Sequence, residues 1–144
     1  MNNVVFNEEV SMNPATANAA ALIGRVLLAL IFVISGFNKI GGFQGVAGSI
    51  ASKGLPMPQL LAALTIALEL GGGILLIIGY KVRIIAILFF LWLIPTTFIF
   101  HKFLGIDPAQ VQNQMNNFLK NVSIMGAMLL VFAFGPGAYS VDKR

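Results

Sequence analysis

Four apolar stretches, at about 17–37, 60–79, 82–100 and 118–134, leave this chain few ways to fold. A helix rises about 1.5 Å per residue, so roughly 20 residues cross a hydrocarbon core of ~30 Å. The chain therefore reads as an all-α protein, a four-transmembrane-helix bundle whose solvent is lipid. Inside lipid every backbone polar group must be satisfied within the protein, which favours helices over open sheet.

Composition agrees with that reading. Of the 144 residues, 58% are hydrophobic and only 10% charged, against about 25% charged in a soluble domain. Residues 1–16 read as a polar N-terminal tail carrying Glu8 and Glu9, and 17–142 as one membrane domain. The acidic tail lacks the positive n-region of a secretory signal, so the first apolar run reads as a retained helix. The net charge is +4, and the nine Lys and Arg are scattered at helix ends. A nucleic-acid partner would need a clustered basic face, so none is expected. With no cysteine and one histidine, the chain offers no thiolate and no two-His metal or haem site. No metal is expected.

Between the first two stretches, Phe43, Val46 and Ile50 share the face of a short interfacial helix, and Pro56 and Pro58 delay the next helix start. Ala63, Ala67 and Gly71, with Gly72 beside them, form a small-residue stripe that predicts close helix packing. Pro95 predicts a kink in the third span, where Thr96 and Thr97 can bond freed carbonyls. Asp107-Pro108 looks like an N-cap followed by N1, and Gly135-Pro136-Gly137 like a helix stop. Gly24-Arg25-Val26 and Val82-Arg83-Ile84 each precede an apolar run, a weak internal echo. Four spans place both termini on one side. Lys81, Arg83, Lys143 and Arg144 face Lys39, Lys53, Lys102 and Lys120, and Arg25 tips the count toward cytoplasmic termini.

Two charges, Arg25 and Glu69, fall well inside spans, and intramembrane ionisable residues are expected to pair. Arg25 lies about eight residues into the first span, or ~12 Å, and Glu69 about ten residues from the end of the second, or ~15 Å. Similar depths predict an Arg25–Glu69 pair. It would brace the first two helices, and Glu69 could also accept a proton or contact a ligand. At the far mouth, Lys39, His101, Lys102 and Lys120 could form a snorkelling ring at the headgroups. A sharper expectation gathers Lys39, His101, Asn121 and Ser35 around a cavity suited to a quinone carbonyl or a small anion, with His101 able to deliver a proton near neutral pH. The aromatics Phe89, Phe90, Trp92, Phe98 and Phe100 take lipid-facing and belt roles by default, although a flat apolar ligand would also suit them.

In order, Arg25, Ser35-Gly36-Phe37-Asn38-Lys39, Gly54-Leu55-Pro56, Glu69-Leu70-Gly71-Gly72-Gly73, Gly79-Tyr80-Lys81-Val82-Arg83, His101, Lys120-Asn121 and the closing Gly135-to-Asp142 run resemble the DoxX family over about residues 20–142. The closing run is most similar to a small bacterial inner-membrane branch. The resemblance implies a four-helix membrane bundle and, more loosely, a role near quinones. The family is named for a subunit of a thiosulfate:quinone oxidoreductase, and other members are linked to redox and electrophile stress. Having no cysteine, cluster or flavin motif, this chain would bind quinone as its ligand and rely on a redox protein partner for electrons. The alternatives are a membrane interaction module, contacting partners or a second copy through Ala63, Ala67 and Gly71, and a small-solute carrier.

Overall fold

The computed structural model describes residues 11–143. Most of the predicted tail, with Glu8 and Glu9, lies outside the described residues, as does Arg144. Four long apolar helical spans are present: Pro14–Gly41, Pro58–Ile78, Val82–Phe100 and Pro108–Phe134. No strand occurs among the described residues.

Helix α1 spans Pro14–Gly41. It starts three residues earlier than the apolar pattern indicates, because Asn13 caps it. The Asn13 side chain accepts from Ala15 N at 2.8 Å, and Pro14 occupies the first turn. The interfacial helix is α2, Phe43–Ser52, and its buried Ala47 and Ile50 pack on Ala62. The second span consists of α3 (Pro58–Ile66), a π-helical segment (Ala67–Gly72) and α4 (Gly73–Ile78). Gly79, at φ 79°, closes α4 in the left-handed region where a side chain is costly. Helix α5, Val82–Phe100, continues through Pro95. As expected for a residue beside Pro95, Thr96 Oγ1 donates to a carbonyl one turn back, Trp92 O, at 2.9 Å. The Thr97 hydroxyl is buried with no partner among the described residues. Helix α6, Pro108–Phe134, begins as expected, with Asp107 accepting from Ala109 N at 3.0 Å.

The spans pack as two pairs: α1 lies along the second span, and α5 along α6. Packed aromatics join the pairs. The Phe32 and Phe89 ring centroids are 4.2 Å apart, and Trp92 meets both edge-on. Phe89 is fully buried, contrary to its expected lipid-facing role, whereas Phe98 does face outward.

Glycines set the register of α1 against the second span, but not the predicted ones. A Cβ on Gly36 would stand 2.7 Å from the Leu70 backbone nitrogen, and one on Gly73 would stand 2.8 Å from Val33 Cγ2. A Cβ on Gly72 would press on the Phe89 ring at 3.0 Å, so Gly72 packs as expected. Ala63, Ala67 and Gly71 do not pack within the bundle: all three are exposed, and Gly71 has nothing within 4 Å of its Cβ position. The stripe was read at α-helical spacing, whereas the π turn rotates the following glycines onto the packed face. Gly36→Ala should therefore cost about 1–3 kcal/mol through overpacking. Gly71→Ala should cost nothing measurable. Thermal melts of the two variants in mild detergent make the comparison.

Candidate functional site

Between the two helix pairs, on the side away from the termini, lies a cavity of about 720 Å³. Ligand pockets typically run from roughly 300 to 1,000 Å³. Phe32, Leu68, Trp92, Leu93 and Ile124 supply apolar wall deep in the bundle, and α2 closes one side with Val46 and Ile50. Ser35, Lys39, Glu69, His101 and Asn121 all line it. The four residues expected to share a cavity, Lys39, His101, Asn121 and Ser35, are thus brought together.

The ion pair is different from the predicted one. Glu69 pairs with Lys39, whose Nζ lies 2.7 and 2.8 Å from the two carboxylate oxygens. The Glu69 side chain is 4% exposed and that of Lys39 28%. Helical side chains lean toward the helix N-terminus, so the Lys39 stem reaches back one turn to the level of Gly36, where Glu69 sits. The π turn, a feature often found at functional sites, carries Glu69 on the buried face of the second span. Ser35 Oγ accepts from the same ammonium at 3.1 Å. The predicted Arg25–Glu69 pair fails because depth was counted from each helix end, as though the ends were level. The glycine contacts instead set Arg25 beside Ile77, eight residues and about 12 Å from Glu69.

Arg25 does other work. It is 3% exposed, and its guanidinium donates to the carbonyls of Pro136, Ile77 (3.3 Å) and Tyr139 (2.8 Å). It thereby fastens the segment after α6 to the turn between α4 and α5. That segment also bonds to the turn directly, through Val141 N to Ile78 O and Asp142 N to Gly79 O. The Asp142 carboxylate accepts from Lys81 N and Val82 N, both at 2.9 Å, and caps α5. This end of the bundle is closed by structure, and the cavity belongs to the other end.

At the cavity rim, His101 Nδ1 lies 3.1 Å from Gln114 Oε1, a partner not anticipated from the sequence. Lys120 is exposed and bonds Asn117 Oδ1 at 3.3 Å. Asn121 is only 6% exposed, lines the cavity, and makes no hydrogen bond to any described residue. Trp92 lines the cavity, as the ligand-facing alternative for the aromatics of this span allows, whereas the π turn is not anticipated from the sequence. Its only sequence signal is a glycine run beside an intramembrane glutamate.

The DoxX family model matches residues 20–102, more than half of the chain. The chain belongs to the DoxX family. The matched stretch includes Arg25, Ser35, Lys39, Glu69 and His101, while Asn121 lies beyond it. The inner membrane protein YphA of Escherichia coli (strain K12) is 42% identical over 123 residues, 85% of this chain and 88% of YphA. The inner membrane protein YqjF of the same strain is 32% identical over 126 residues, 88% of this chain and 92% of YqjF. CatD of Bacillus subtilis (strain 168), named as a candidate oxidoreductase, is 38% identical over 73 residues, 51% of this chain and 53% of CatD. No solved structure matches the chain significantly. With four spans and these relatives, this DoxX protein is a multi-pass protein of the bacterial inner membrane.

Proposed function

We propose that this DoxX protein binds a quinone-type ring in the cavity between its helix pairs, as the membrane subunit of a redox or electrophile-stress system. The observation that carries the reading is Asn121. Its amide lines a largely apolar pocket with no hydrogen bond to a described residue, and a ring oxygen would accept from it. The flat walls of Phe32 and Trp92 suit a ring, and the rim residue His101 stands where a proton would enter or leave. The name of CatD agrees with a redox setting. With no cysteine in the chain, a partner protein would supply or take the electrons.

Quinone extracted from protein purified in mild detergent, counted per polypeptide, tests this reading. Near-stoichiometric quinone is expected for the parent, with loss of most of it in Asn121→Leu and a smaller loss in His101→Ala. Added quinone should also quench Trp92, the only tryptophan, which lines the cavity. Quinone at the lipid background in the parent would refute the reading. The interaction module would then be favoured, because Ala63, Ala67 and Gly71 face outward with no partner in the bundle.

A further inference from the structure

We propose that the cavity selects the reduced, hydroxyl-bearing form of its ring ligand, a hydroquinone or catechol, over the oxidised quinone. This inference rests on the function proposed above and specifies which redox form the same site holds.

The reasoning is a count of hydrogen-bonding capacity around the cavity. An ammonium has three N–H donors and no acceptor. Lys39 directs its three to Glu69 Oε1, Glu69 Oε2 and Ser35 Oγ. It has no donor left for a ligand, although its charge suggests an oxygen-binding role. The other lysine in the wall, Lys120, gives one of its three donors to Asn117 and lies exposed at the rim. No charged donor therefore remains at the deep end.

Acceptors remain at the deep end. An ionised carboxylate offers about four lone-pair directions, and Lys39 occupies two of those on Glu69. The ring nitrogens of His101 can donate or accept according to tautomer, so His101 is neutral in the count. The Thr96 hydroxyl proton goes to Trp92 O. Asn121 and the remaining hydroxyls are neutral groups that donate and accept alike. Away from the rim, the strongest group with unused capacity is the Glu69 carboxylate, and it accepts only.

A quinone carries only acceptor oxygens, so a carbonyl placed beside Glu69 meets like polarity with no proton between. The corresponding hydroquinone or catechol places an O–H there and forms a charge-assisted bond, while its oxygens still accept from Asn121. Hydrogen bonds to charged groups are about twice as strong as neutral ones. The two redox forms share ring and shape, so apolar contacts cancel in the comparison.

The test is anaerobic calorimetric titration of the full chain in lipid nanodiscs, using tetramethylhydroquinone and tetramethyl-1,4-benzoquinone. The hydroquinone should bind at least about tenfold more tightly, as one hydrogen bond to a charged acceptor implies. Glu69→Gln should bring the ratio close to one, because an amide can donate to the quinone as well. Asn121→Leu should weaken both forms alike and keep the preference. Equal affinities in the parent protein, or tighter quinone binding, would overturn this inference and leave the proposed function standing. If neither compound binds, both fall.

Discussion

Lys39→Met is expected to destabilise the protein by about 3 kcal/mol or more, and by more than Glu69→Leu does. Breaking a buried ion pair by removing one partner costs about 3–5 kcal/mol, because the remaining charge is left without compensation. The two partners are not equivalent here. Glu69 is almost fully enclosed, whereas Lys39 is 28% exposed near the end of α1. Deprived of Glu69, Lys39 can swing its ammonium outward along its flexible stem. Deprived of Lys39, Glu69 remains on the π turn with no other cation bonded to it. Replacing both by apolar residues should be milder than Lys39→Met alone. Thermal melts of the three variants in one detergent would check the order. If Lys39→Met melts with the parent, the pair does not hold the two helices together.

Arg25→Met should lower the melting temperature by on the order of 10 °C, as a loss of about 3 kcal/mol does for a chain of this length. Three carbonyls would lose a charged donor, and such bonds contribute about 1.5–3 kcal/mol each before relaxation. The damage should concentrate at 135–142, the segment that Arg25 fastens to the α4–α5 turn. Limited proteolysis should therefore cut there first. Arg25→Lys should rescue little, because one ammonium cannot reproduce the planar fork that spans Pro136 and Tyr139. Hydroquinone binding should survive in any Arg25 variant that stays folded, since Arg25 is not part of the cavity wall. Loss of cleavage preference at 135–142 would count against the clamp.

Much of the fold could be read from residue order. The four spans, the interfacial helix at Phe43–Ser52, the Asp107 cap and the stop at Gly135 each rest on local signals: apolar run length, apolar spacing, or a capping side chain next to a proline. The gathering of Ser35, Lys39, His101 and Asn121 was also accessible, because an even count of spans puts those helix ends on one side. The pairing of charges was not. Arg25 and Glu69 are level only if the helix ends are level, and the sliding of α1 along the second span is set by Gly36 on Leu70 and Val33 on Gly73. The same limit explains the small-residue stripe. Ala63, Ala67 and Gly71 fit an α-helical face, but the backbone between Ala67 and Gly72 is π-helical and turns Gly72 and Gly73 inward instead.

By itself, the sequence determined that this chain crosses the membrane four times, where the last span starts and stops, and which polar residues must lie within the bilayer. Those properties depend on transfer of side chains into lipid and on backbone bonding within a single helix, so near neighbours in the chain suffice. Only the tertiary structure decided which charge meets which, that the Lys39 donors are saturated by Glu69 and Ser35, and that Asn121 stands unpartnered in a cavity. Those properties depend on helix register and rotation. In lipid they are set by a few close backbone contacts rather than by a hydrophobic face, and apolar sequence on every side of a helix leaves no mark of which side that will be.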